Sequence, residues 1–347
     1  MQAINTALCS FGMSGWVFHA PFIHVHPGFN LYAIYERSKN LAQQKFPSIK
    51  TFRNLDEMLA DKKVELVIVN TPNATHYDFA KKALLAGKHV VVEKPFTVEV
   101  PEGEELIDLA KQQNKILSVY HNRRWDSDFK SVKKIVEMNC LGNIVEAEFH
   151  FDRFKEELSP KQHKETPGPG AGVLYDLGSH LVDQALTLFG MPQAVFADIQ
   201  IIRPVSQVDD YFELLLYYSN LRVRLRSTYL ARETVPAFIL HGSKGSFIKP
   251  RGDVQEAMLQ KEVSPKTENW GIENENDWGL LHTQREGKII RSHIKSEQGS
   301  YMDFYNDLYA AIKNNTQAPV TGEDGLNVIK IIKAAFRSNE EKRVIQL

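Results

Sequence analysis

Short apolar runs alternate with amphipathic stretches over the first hundred residues of the chain. The apolar runs cover residues 7–9, 30–35, 65–70 and 89–93. In the last of them, three consecutive valines at 90–92 predict a strand that is covered on both faces, as in a parallel α/β sheet. A helical pattern over about 76–86, with Thr75 as its cap and Gly87 after its end, joins two of these runs. Repeated strand–helix–strand units predict a doubly wound parallel sheet.

Beyond a last buried run at 116–120, the pattern changes to alternating strands of period two. Helices are predicted near 101–113 and 126–140. The alternating strands cover 144–154, 194–203, 210–218, 221–230 and 236–241. Ser219-Asn220 has the length of a two-residue hairpin turn between two of them. The chain is therefore expected to be α/β overall, with a C-terminal α+β domain built on a large, mainly antiparallel open sheet.

Length and charge narrow the classes of function. The chain has 347 residues, 43% of them hydrophobic, which is enough for two domains with their own cores. A formal net charge of −1 does not favour a nucleic acid or an anionic membrane as partner. Arg222, Arg224 and Arg226 share one face of a predicted strand, and in a neutral protein they are expected to form ion pairs or to face water.

Few residues suggest a metal site or a targeting segment. The two cysteines, Cys9 and Cys140, lack metal-ligand spacing, which is typical of a reducing compartment without disulfides. His24 and His26 are two residues apart and do not share a helical face, so we expect no metal there. No apolar run approaches the roughly 20 residues of a membrane helix, and the chain starts directly on a strand. A cytoplasmic protein without a membrane segment is expected.

A glycine-rich loop follows the first strand, at Ser10-Phe11-Gly12-Met13-Ser14-Gly15. In the dinucleotide pattern Gly-x-Gly-x-x-Gly, the second glycine lets the backbone approach a pyrophosphate and the third allows close helix–strand packing. Gly12 and Gly15 hold these two positions, while Ser10 replaces the first glycine. The loop predicts a dinucleotide site in which the pyrophosphate lies at a helix N-terminus.

The end of the second strand carries conflicting signals about the cofactor. Glu36 has the spacing of an acid that binds the ribose hydroxyls of NAD. Arg37 and Ser38 follow it and could instead hold the 2′-phosphate of NADP. The sequence leaves NAD and NADP open as alternatives.

Two further strand ends carry ionisable or turn-forming residues. Glu93-Lys94-Pro95 ends the valine-rich strand, where ligands of parallel sheets bind, and Lys94 could lend or take a proton there. The segment His121-Asn122-Arg123-Arg124-Trp125 ends another strand on the same side.

A helical segment in the second half brings acidic residues and a histidine together. Asp176, His180 and Asp183 are spaced i, i+4 and i+7, so they share one face opposite an apolar stripe. A carboxylate beside a histidine is typical of proton transfer near neutral pH. The alternative is an aspartate that caps the helix and an incidental histidine. The glycine-rich loop at 167–172 precedes this helix and could lie over a substrate.

The glycine loop, the Glu93-Lys94-Pro95 triplet and the Asp176-x-x-x-His180 helix together resemble the Gfo/Idh/MocA oxidoreductases, a family that includes glucose–fructose oxidoreductase and inositol dehydrogenases. The resemblance covers essentially the whole chain. It implies a dinucleotide-binding Rossmann domain at 1–121 and a substrate-binding and oligomerisation domain at 122–347.

The resemblance also implies roles for individual residues. The catalytic set would be Lys94, Asp176 and His180. The cofactor contacts would be Ser10, Gly12, Gly15, Glu36, Arg37, Thr71, Pro72, Asn73, His76, Glu93 and Lys94. Asn122, Arg123 and Tyr175 would join Asp176 and His180 in binding the substrate.

The implied activity is hydride transfer between nicotinamide C4 of NAD or NADP and a carbinol or carbonyl carbon of a sugar, inositol or related polyol. His180, oriented by Asp176, is expected to take the hydroxyl proton while Lys94 binds or relays it, although the two could exchange roles. A non-catalytic dinucleotide sensor and a different chemistry on the same fold, either biliverdin reduction or nicotinamide-assisted glycoside cleavage, remain alternatives.

Three expectations concern the rest of the chain. One face of a large open sheet must be covered, so a homodimer or homotetramer through the C-terminal sheet is expected. The aromatic-rich segment 301–305 is expected to form an amphipathic helix that buries its rings. The segment 268–277, together with Trp270 and Trp278, is expected to be an irregular surface excursion.

Overall fold

The computed structural model describes residues 3–159, 165–233 and 235–347, and the chain packs as two compact units. The first unit comprises residues 1–122, 255–270 and 300–326. The second comprises residues 123–254, 271–299 and 327–347. The predicted domain boundary near residue 121 stays a prediction. The two late segments of the first unit lie far along the chain from the glycine-rich loop.

A parallel sheet forms the centre of the first unit. Its strands are β1 Ile4–Leu8, β2 Phe29–Tyr35, β3 Lys50–Phe52, β4 Leu66–Val69, β5 His89–Glu93 and β6 Leu117–Tyr120. They lie in the order β3-β2-β1-β4-β5-β6, and every neighbouring pair is parallel. The predicted Rossmann sheet is confirmed, and only the short edge strand β3 was not predicted. The strand order reverses between β1 and β4, which is where ligands bind in such folds.

Helices connect these strands. They are a π-helix at Ser14–His19 that continues as an α-helix at Ala20–Val25, α-helices at Leu41–Lys45, Leu55–Ala60, His76–Leu85, Val100–Gln112, Gln255–Gln260 and Tyr301–Asn314, and a 3-10 turn at Asn73–Thr75. Gly87 has φ +72°, as expected after a helix end. The expectation that the Thr75 side chain caps the next helix is wrong. Its hydroxyl donates instead to the Pro72 carbonyl at 2.7 Å, which stabilises the preceding turn.

Late segments of the chain complete the aromatic core of the first unit. Tyr301, Phe304 and Tyr305 are fully buried, so the predicted amphipathic helix is confirmed. Trp270 is also buried, and its indole donates to the Gln255 side chain at 3.0 Å. The expectation of a surface excursion at 268–277 is therefore wrong for Trp270, because the apolar indole is enclosed by other rings of this unit.

The second unit is built on a nine-stranded sheet. Its strands are β7 Ile144–His150, β8 Ala194–Gln200, β9 Tyr211–Tyr217, β10 Arg222–Thr228, β11 Phe238–Gly242, β12 Gly245–Lys249, β13 Gly279–Arg285, β14 Lys288–Ile294 and β15 Ile345–Gln346. The order is β14-β13-β12-β11-β7-β10-β9-β8-β15, and only β7 and β10 pair in parallel. The mainly antiparallel sheet is confirmed.

Four strands of this sheet were not predicted, namely β12 to β15. A signal for two of them was present in the sequence. Glu286 and Gly287, with φ +52° and +76°, form the two-residue turn between β13 and β14. Such positive angles are typical of tight hairpins.

Helices of the second unit lie on one face of the sheet. They are Ser127–Glu137, a π-helix at Leu174–Gly178 followed by Ser179–Phe189, a 3-10 turn at Glu275–Asp277, and the later part of Gly322–Glu341, which begins in the first unit. Backbone N–H groups of β8 donate to Ser338 and Asn339 on that last helix, at 3.0 Å each. These bonds cover the part of the β8 edge that β15 does not pair with. The fully buried Phe212, Leu214 and Leu225 show that one face of the sheet packs into the core.

The opposite face of the sheet carries charged side chains. Arg224 pairs with Glu213 at 2.9 Å, with Glu146 at 3.7 Å and with Glu148. The expectation that the arginines of this strand form ion pairs is confirmed for Arg224. This face therefore combines paired charges with half-exposed apolar side chains such as Leu215.

Candidate functional site

Hydrogen bonds between Ser10 and Asn70 connect the ends of β1 and β4, where the strand order reverses. The Ser10 hydroxyl donates to the Asn70 carbonyl at 2.8 Å, and the Ser10 N–H donates to the Asn70 side-chain oxygen at 2.9 Å. The Asn70 amide in turn donates to the Ser10 carbonyl at 2.9 Å. Ser10 thus replaces the first glycine of the pattern by a turn that is pinned to the end of β4.

Gly12 and Gly15 have different surroundings. A Cβ at Gly15 would lie 2.4 Å from the Ser10 carbonyl oxygen and 2.8 Å from the Asn70 amide, so this position has room only for glycine. At Gly12 a Cβ would meet only the Ser10 hydroxyl, at 4.0 Å, and the residue is exposed. The backbone at Gly12 is therefore open to a ligand, next to the start of the Ser14–His19 helix. This cradle fits the pyrophosphate of a dinucleotide.

At the end of β2, the Glu36 side chain is buried and the Arg37 side chain is exposed. The Glu36 carboxylate accepts the backbone N–H groups of Leu41 and Ala42, each at 3.2 Å, and its side chain is buried. Arg37 is exposed. Arg53, which the sequence interpretation missed, donates to the Glu36 and Lys39 carbonyls at 2.6 Å and holds this loop in place.

The turn after β4 lies against the turn after β5. Thr71, Pro72 and Asn73 form the first turn, and the buried His76 bridges the Thr71 carbonyl at 2.9 Å and the Pro95 carbonyl at 2.8 Å. Burial lowers the pKa of His76, although both carbonyls act in the opposite direction. His76 thus ties the residue after β4 to the segment that carries Lys94.

Glu93 and Lys94 end β5 at the same edge of the sheet. The Lys94 backbone N–H donates to Glu93 Oε2 at 3.2 Å, and the Lys94–Pro95 peptide is cis. The other carboxylate oxygen of Glu93 bonds to Nε2 of His19 at 3.0 Å. The side chain of Glu93 is 13% exposed, so a ligand at the edge can reach it only in part.

His19 is a residue of this site that the sequence interpretation missed. It lies in the Phe18-His19-Ala20-Pro21-Phe22 stretch that follows the glycine loop. Its partner Tyr305 lies on a helix almost three hundred residues later. The histidine one turn after the glycine loop was a signal for it, but nothing in the sequence pointed to Tyr305.

In the second unit, the predicted proton-transfer residues lie on a helix with an irregular first turn. Asp176 lies in the π-helix Leu174–Gly178, and His180 follows in the α-helix, where it is buried. Asp183, expected on the same face, binds Arg124 through both carboxylate oxygens at 2.7 to 3.2 Å. This ion pair anchors the helix that carries His180, so the role of Asp183 is structural.

The predicted substrate-binding residues are buried. Asn122 begins the 3-10 turn after β6. Arg123 pairs with Asp126 at 3.0 Å and with Asp253 at 2.7 Å, and its guanidinium lies over the Phe151 ring. The ring of Tyr175 stacks on Phe336 with centroids 5.7 Å apart. The role of all three in substrate binding stays a prediction.

A polar pocket of about 210 Å³ lies beside Asp176 in the second unit. Its lining side chains include Arg153, Lys155, Asp176, Asp209 and Tyr229. Burial raises the pKa of Asp209 to about 6 and that of Tyr229 to about 12, the latter with a contribution from the Asp176 charge. The pocket therefore offers both hydrogen-bond donors and acceptors at neutral pH, which suits a ligand with several hydroxyl groups.

The loop before Asp176 forms one wall of this pocket. Gly172 has φ +94°, and a Cβ there would lie 1.8 Å from an oxygen of Asp209. The Leu174 N–H donates to Asp209 Oδ2 at 2.8 Å. The glycine-rich stretch is thus anchored on Asp209. Within the described residues, no group of three or more potential metal ligands is present, and no helix is long and apolar enough to cross a membrane.

Two family models match the chain. The model described as "Oxidoreductase family, NAD-binding Rossmann fold" matches residues 4–121, and that described as "Oxidoreductase family, C-terminal alpha/beta domain" matches residues 133–347; both are models of the GFO_IDH_MocA family. Together they cover most of both units.

Individual relatives match over the full length. Scyllo-inositol 2-dehydrogenase (NADP(+)) IolW of Bacillus subtilis is 38% identical, with 100% of this chain and 97% of the relative covered. The crystal structure of a Bacteroides fragilis oxidoreductase is 45% identical, with a TM-score of 0.91 and 100% of both chains covered. The Bacillus subtilis oxidoreductase yvaA is 38% identical, with a TM-score of 0.96 over 100% of this chain and 99% of that chain.

The open backbone at Gly12 leads to a prediction about cofactor affinity, for which Gly15 provides the control. We expect Gly12→Ala to weaken NADPH binding by roughly tenfold, about 1.4 kcal/mol, because its methyl group fills the open space that the backbone offers to the phosphates. Its melting temperature should stay close to that of the parent, since the methyl group meets no protein atom closer than 4.0 Å. Fluorescence titration with NADPH and thermal unfolding measure the two effects.

Gly15→Ala is the matched control. Its methyl group overlaps the Ser10 carbonyl, so we expect a loss of stability of about 1–3 kcal/mol. Unchanged cofactor affinity in Gly12→Ala would contradict the placement of the phosphates at this residue.

Proposed function

The chain belongs to the Gfo/Idh/MocA family of NAD(P)-dependent oxidoreductases, and we propose that it oxidises a CH–OH group of an inositol or a related cyclic polyol with NADP. The observation that carries this proposal is the placement of Lys94 at the sheet edge that also holds the open Gly12 cradle. The polar pocket beside Asp176 and the relationship to a scyllo-inositol 2-dehydrogenase favour the polyol class.

Alcohol oxidation requires a base for the hydroxyl proton while hydride leaves the carbon. The nicotinamide, when bound, accepts that hydride. We assign the proton to the imidazole of His180, with Asp176 on the preceding turn as its orienting carboxylate. Lys94 binds the same oxygen and stabilises the negative charge that develops on it. His180 and Lys94 can exchange these roles without a change in the overall reaction.

The residues that would hold the cofactor lie along the first unit. Gly12, with Ser10 and Gly15 shaping the turn, would receive the pyrophosphate. The turn of Thr71, Pro72 and Asn73, held by His76, would lie beside the nicotinamide half, together with Glu93 and Lys94. All of these groups lie at the carboxyl ends of β1, β4 and β5, which is the edge where parallel sheets bind dinucleotides.

The loop after β2 supports NADP rather than NAD. In an NAD site the acid at the position of Glu36 would accept the ribose hydroxyls, but here its two oxygens already accept backbone N–H groups. Arg37 and Ser38 are exposed next to it and provide a cation and a hydroxyl for a 2′-phosphate.

We also propose that the protein self-associates through the charged face of the nine-stranded sheet. Phe196, Leu215 and Ile239 lie on this face around Arg224, and none of the three is fully buried in the single chain. Apolar side chains among paired charges are typical of a surface that is covered by a second copy.

The activity is tested with purified protein, NADP and NAD against a panel of inositols, sugars and sugar acids, with nicotinamide absorbance as the signal. For a polyol that is oxidised, we expect Lys94→Ala to lower kcat by roughly 10²–10⁴-fold, because the variant loses the cation at the reacting oxygen. The Kd for NADPH should change little. Near-normal turnover in Lys94→Ala would remove this residue from the mechanism, and absence of any turnover despite NADPH binding would favour a sensor.

The cofactor preference is tested by charge reversal. We expect Arg37→Glu to lower kcat/KM for NADP about 10- to 100-fold, since a charge-assisted hydrogen bond contributes about 1.5–3 kcal/mol, while kcat/KM for NAD stays constant or rises. Lys62→Glu, an equally exposed charge reversal elsewhere in the first unit, is the control. Equal effects of Arg37→Glu on both cofactors would contradict the assignment.

Self-association is tested by analytical ultracentrifugation at micromolar concentration. We expect a dimer or tetramer for the parent, and a shift toward monomer for Leu215→Lys, because the added charge cannot be paired in an apolar contact. A parent that sediments as a monomer would rule out the proposed interface.

A further inference from the structure

Three side chains of the first unit, those of Tyr305, His19 and Glu93, form a row of hydrogen bonds that ends at the Lys94 backbone. Tyr305 bonds through its hydroxyl to Nδ1 of His19 at 2.9 Å, and Nε2 of His19 bonds to Oε1 of Glu93 at 3.0 Å. Oε2 of Glu93 accepts the backbone N–H of Lys94 at 3.2 Å. The imidazole is fully buried, so it cannot itself touch a substrate. It connects the aromatic core to the residue that precedes Lys94.

The two ring nitrogens of His19 have different partners. The Tyr305 hydroxyl lies 2.9 Å from Nδ1 and 2.8 Å from the Phe18 carbonyl, and the tautomer of the ring decides to which of the two it donates. The Glu93 carboxylate can only accept, so its bond to Nε2 requires a proton on that nitrogen.

Several titratable groups surround this pair. Tyr120 and Tyr305 face His19, with the Tyr120 ring 4.5 Å away, while His76 and Lys94 lie near Glu93. Burial acts to raise the pKa of Glu93, but the hydrogen bond from His19 and the nearby His19, Lys94 and His76 charges outweigh it and lower the pKa. Burial also raises the pKa of Tyr305, whose hydroxyl stays protonated. A carboxylate that accepts a hydrogen bond from Nε2 of His19 agrees with the lowered pKa of Glu93.

Stability alone does not explain a pair of this kind. A buried imidazole and carboxylate contribute no more to stability than apolar side chains of similar volume. The aromatic rings around His19, including Tyr120 and Tyr305, would pack equally well against an apolar residue. The hydrogen bonds of His19 instead connect it to Glu93, at the strand end that carries Lys94.

We infer that His19 is a positioning residue, which holds the Glu93 carboxylate in one orientation and thereby fixes the backbone at Lys94 for catalysis. This inference rests on the proposed role of Lys94. Tyr305 holds the ring from its other side, so that the imidazole plane cannot rotate. A carboxylate fixed by two donors keeps the strand end preorganised for a reaction that requires accurate placement.

Single variants test the two hydrogen bonds of His19 separately. His19→Leu removes the hydrogen bonds to both Tyr305 and Glu93, whereas Tyr305→Phe removes only the bond between Tyr305 and His19. His19→Gln restores an N–H donor close to the position of Nε2. His24→Leu, at an exposed histidine on the next helix turn, is the matched control. We expect His19→Leu to lower kcat roughly 10- to 100-fold with KM for NADP within about threefold, and His19→Gln to recover most of that loss.

A double variant tests whether His19 acts through Glu93. If it does, His19→Leu in a Glu93→Gln background causes no further loss of kcat. Additive losses would overturn the inference, as would a His19→Leu effect that falls on KM rather than kcat or that His19→Gln fails to rescue. A lower melting temperature in His19→Leu alone, with kcat retained, would show a purely structural role and would also overturn it.

A second measurement does not depend on any substrate. Nitrogen NMR of the protein labelled at its histidines, with His19 identified by its loss in His19→Gln, reports protonation of each ring nitrogen. We expect Nε2 to carry a proton at neutral pH; an unprotonated Nε2 donates nothing to Glu93 and would overturn the inference. If no polyol is oxidised by the parent protein, the proposed function fails, whereas this readout still decides whether His19 holds Glu93.

Discussion

The hydrogen bonds between Ser10 and Asn70 are the constraint on which the first unit depends. They join the ends of β1 and β4 at the one point where the strand order reverses. The same two residues leave no room for a side chain at Gly15, whereas Gly12 is open. Because parallel strands present their carboxyl ends at one edge, the turn of Thr71 and the end of β5 come to the same place. Lys94, which follows β5, therefore lies at the same edge of the sheet as the glycine loop.

Both units place a functional candidate on a π-helical turn. His19 ends the π-helix after the glycine loop, and Asp176 lies in the π-helix before His180. A π-helical turn adds a residue to the helical repeat and changes the direction of the side chains that follow, and such turns are frequent at functional sites. In the first unit this turn brings His19 to Glu93. In the second it precedes the helix that Arg124 and Asp183 anchor.

Most of the fold and part of the candidate site could be predicted from local patterns. The strands β1, β2, β4, β5 and β6 were predicted because buried apolar runs are local signals, and Gly12, Gly15 and Lys94 because their spacing relative to strand ends is local as well. The strands β12 to β15 were not predicted, because their alternation is weak and their pairing is with distant segments. Trp270 was misjudged because polar neighbours in sequence conceal burial that depends on the helix carrying Tyr301.

The sequence by itself determined the parallel sheet, the glycine loop and the ionisable strand end, since these depend on residues that are close along the chain. Only the tertiary structure shows that the Glu36 carboxylate accepts backbone N–H groups and is not directed to solvent. It also decided the link from Tyr305 through His19 to Glu93. The reason is physical: a hydrogen bond depends on atoms that lie a few ångströms apart. The direction of the Glu36 side chain depends on how the loop after β2 folds, and the Tyr305 hydroxyl reaches His19 across 286 residues of the chain only in the folded protein.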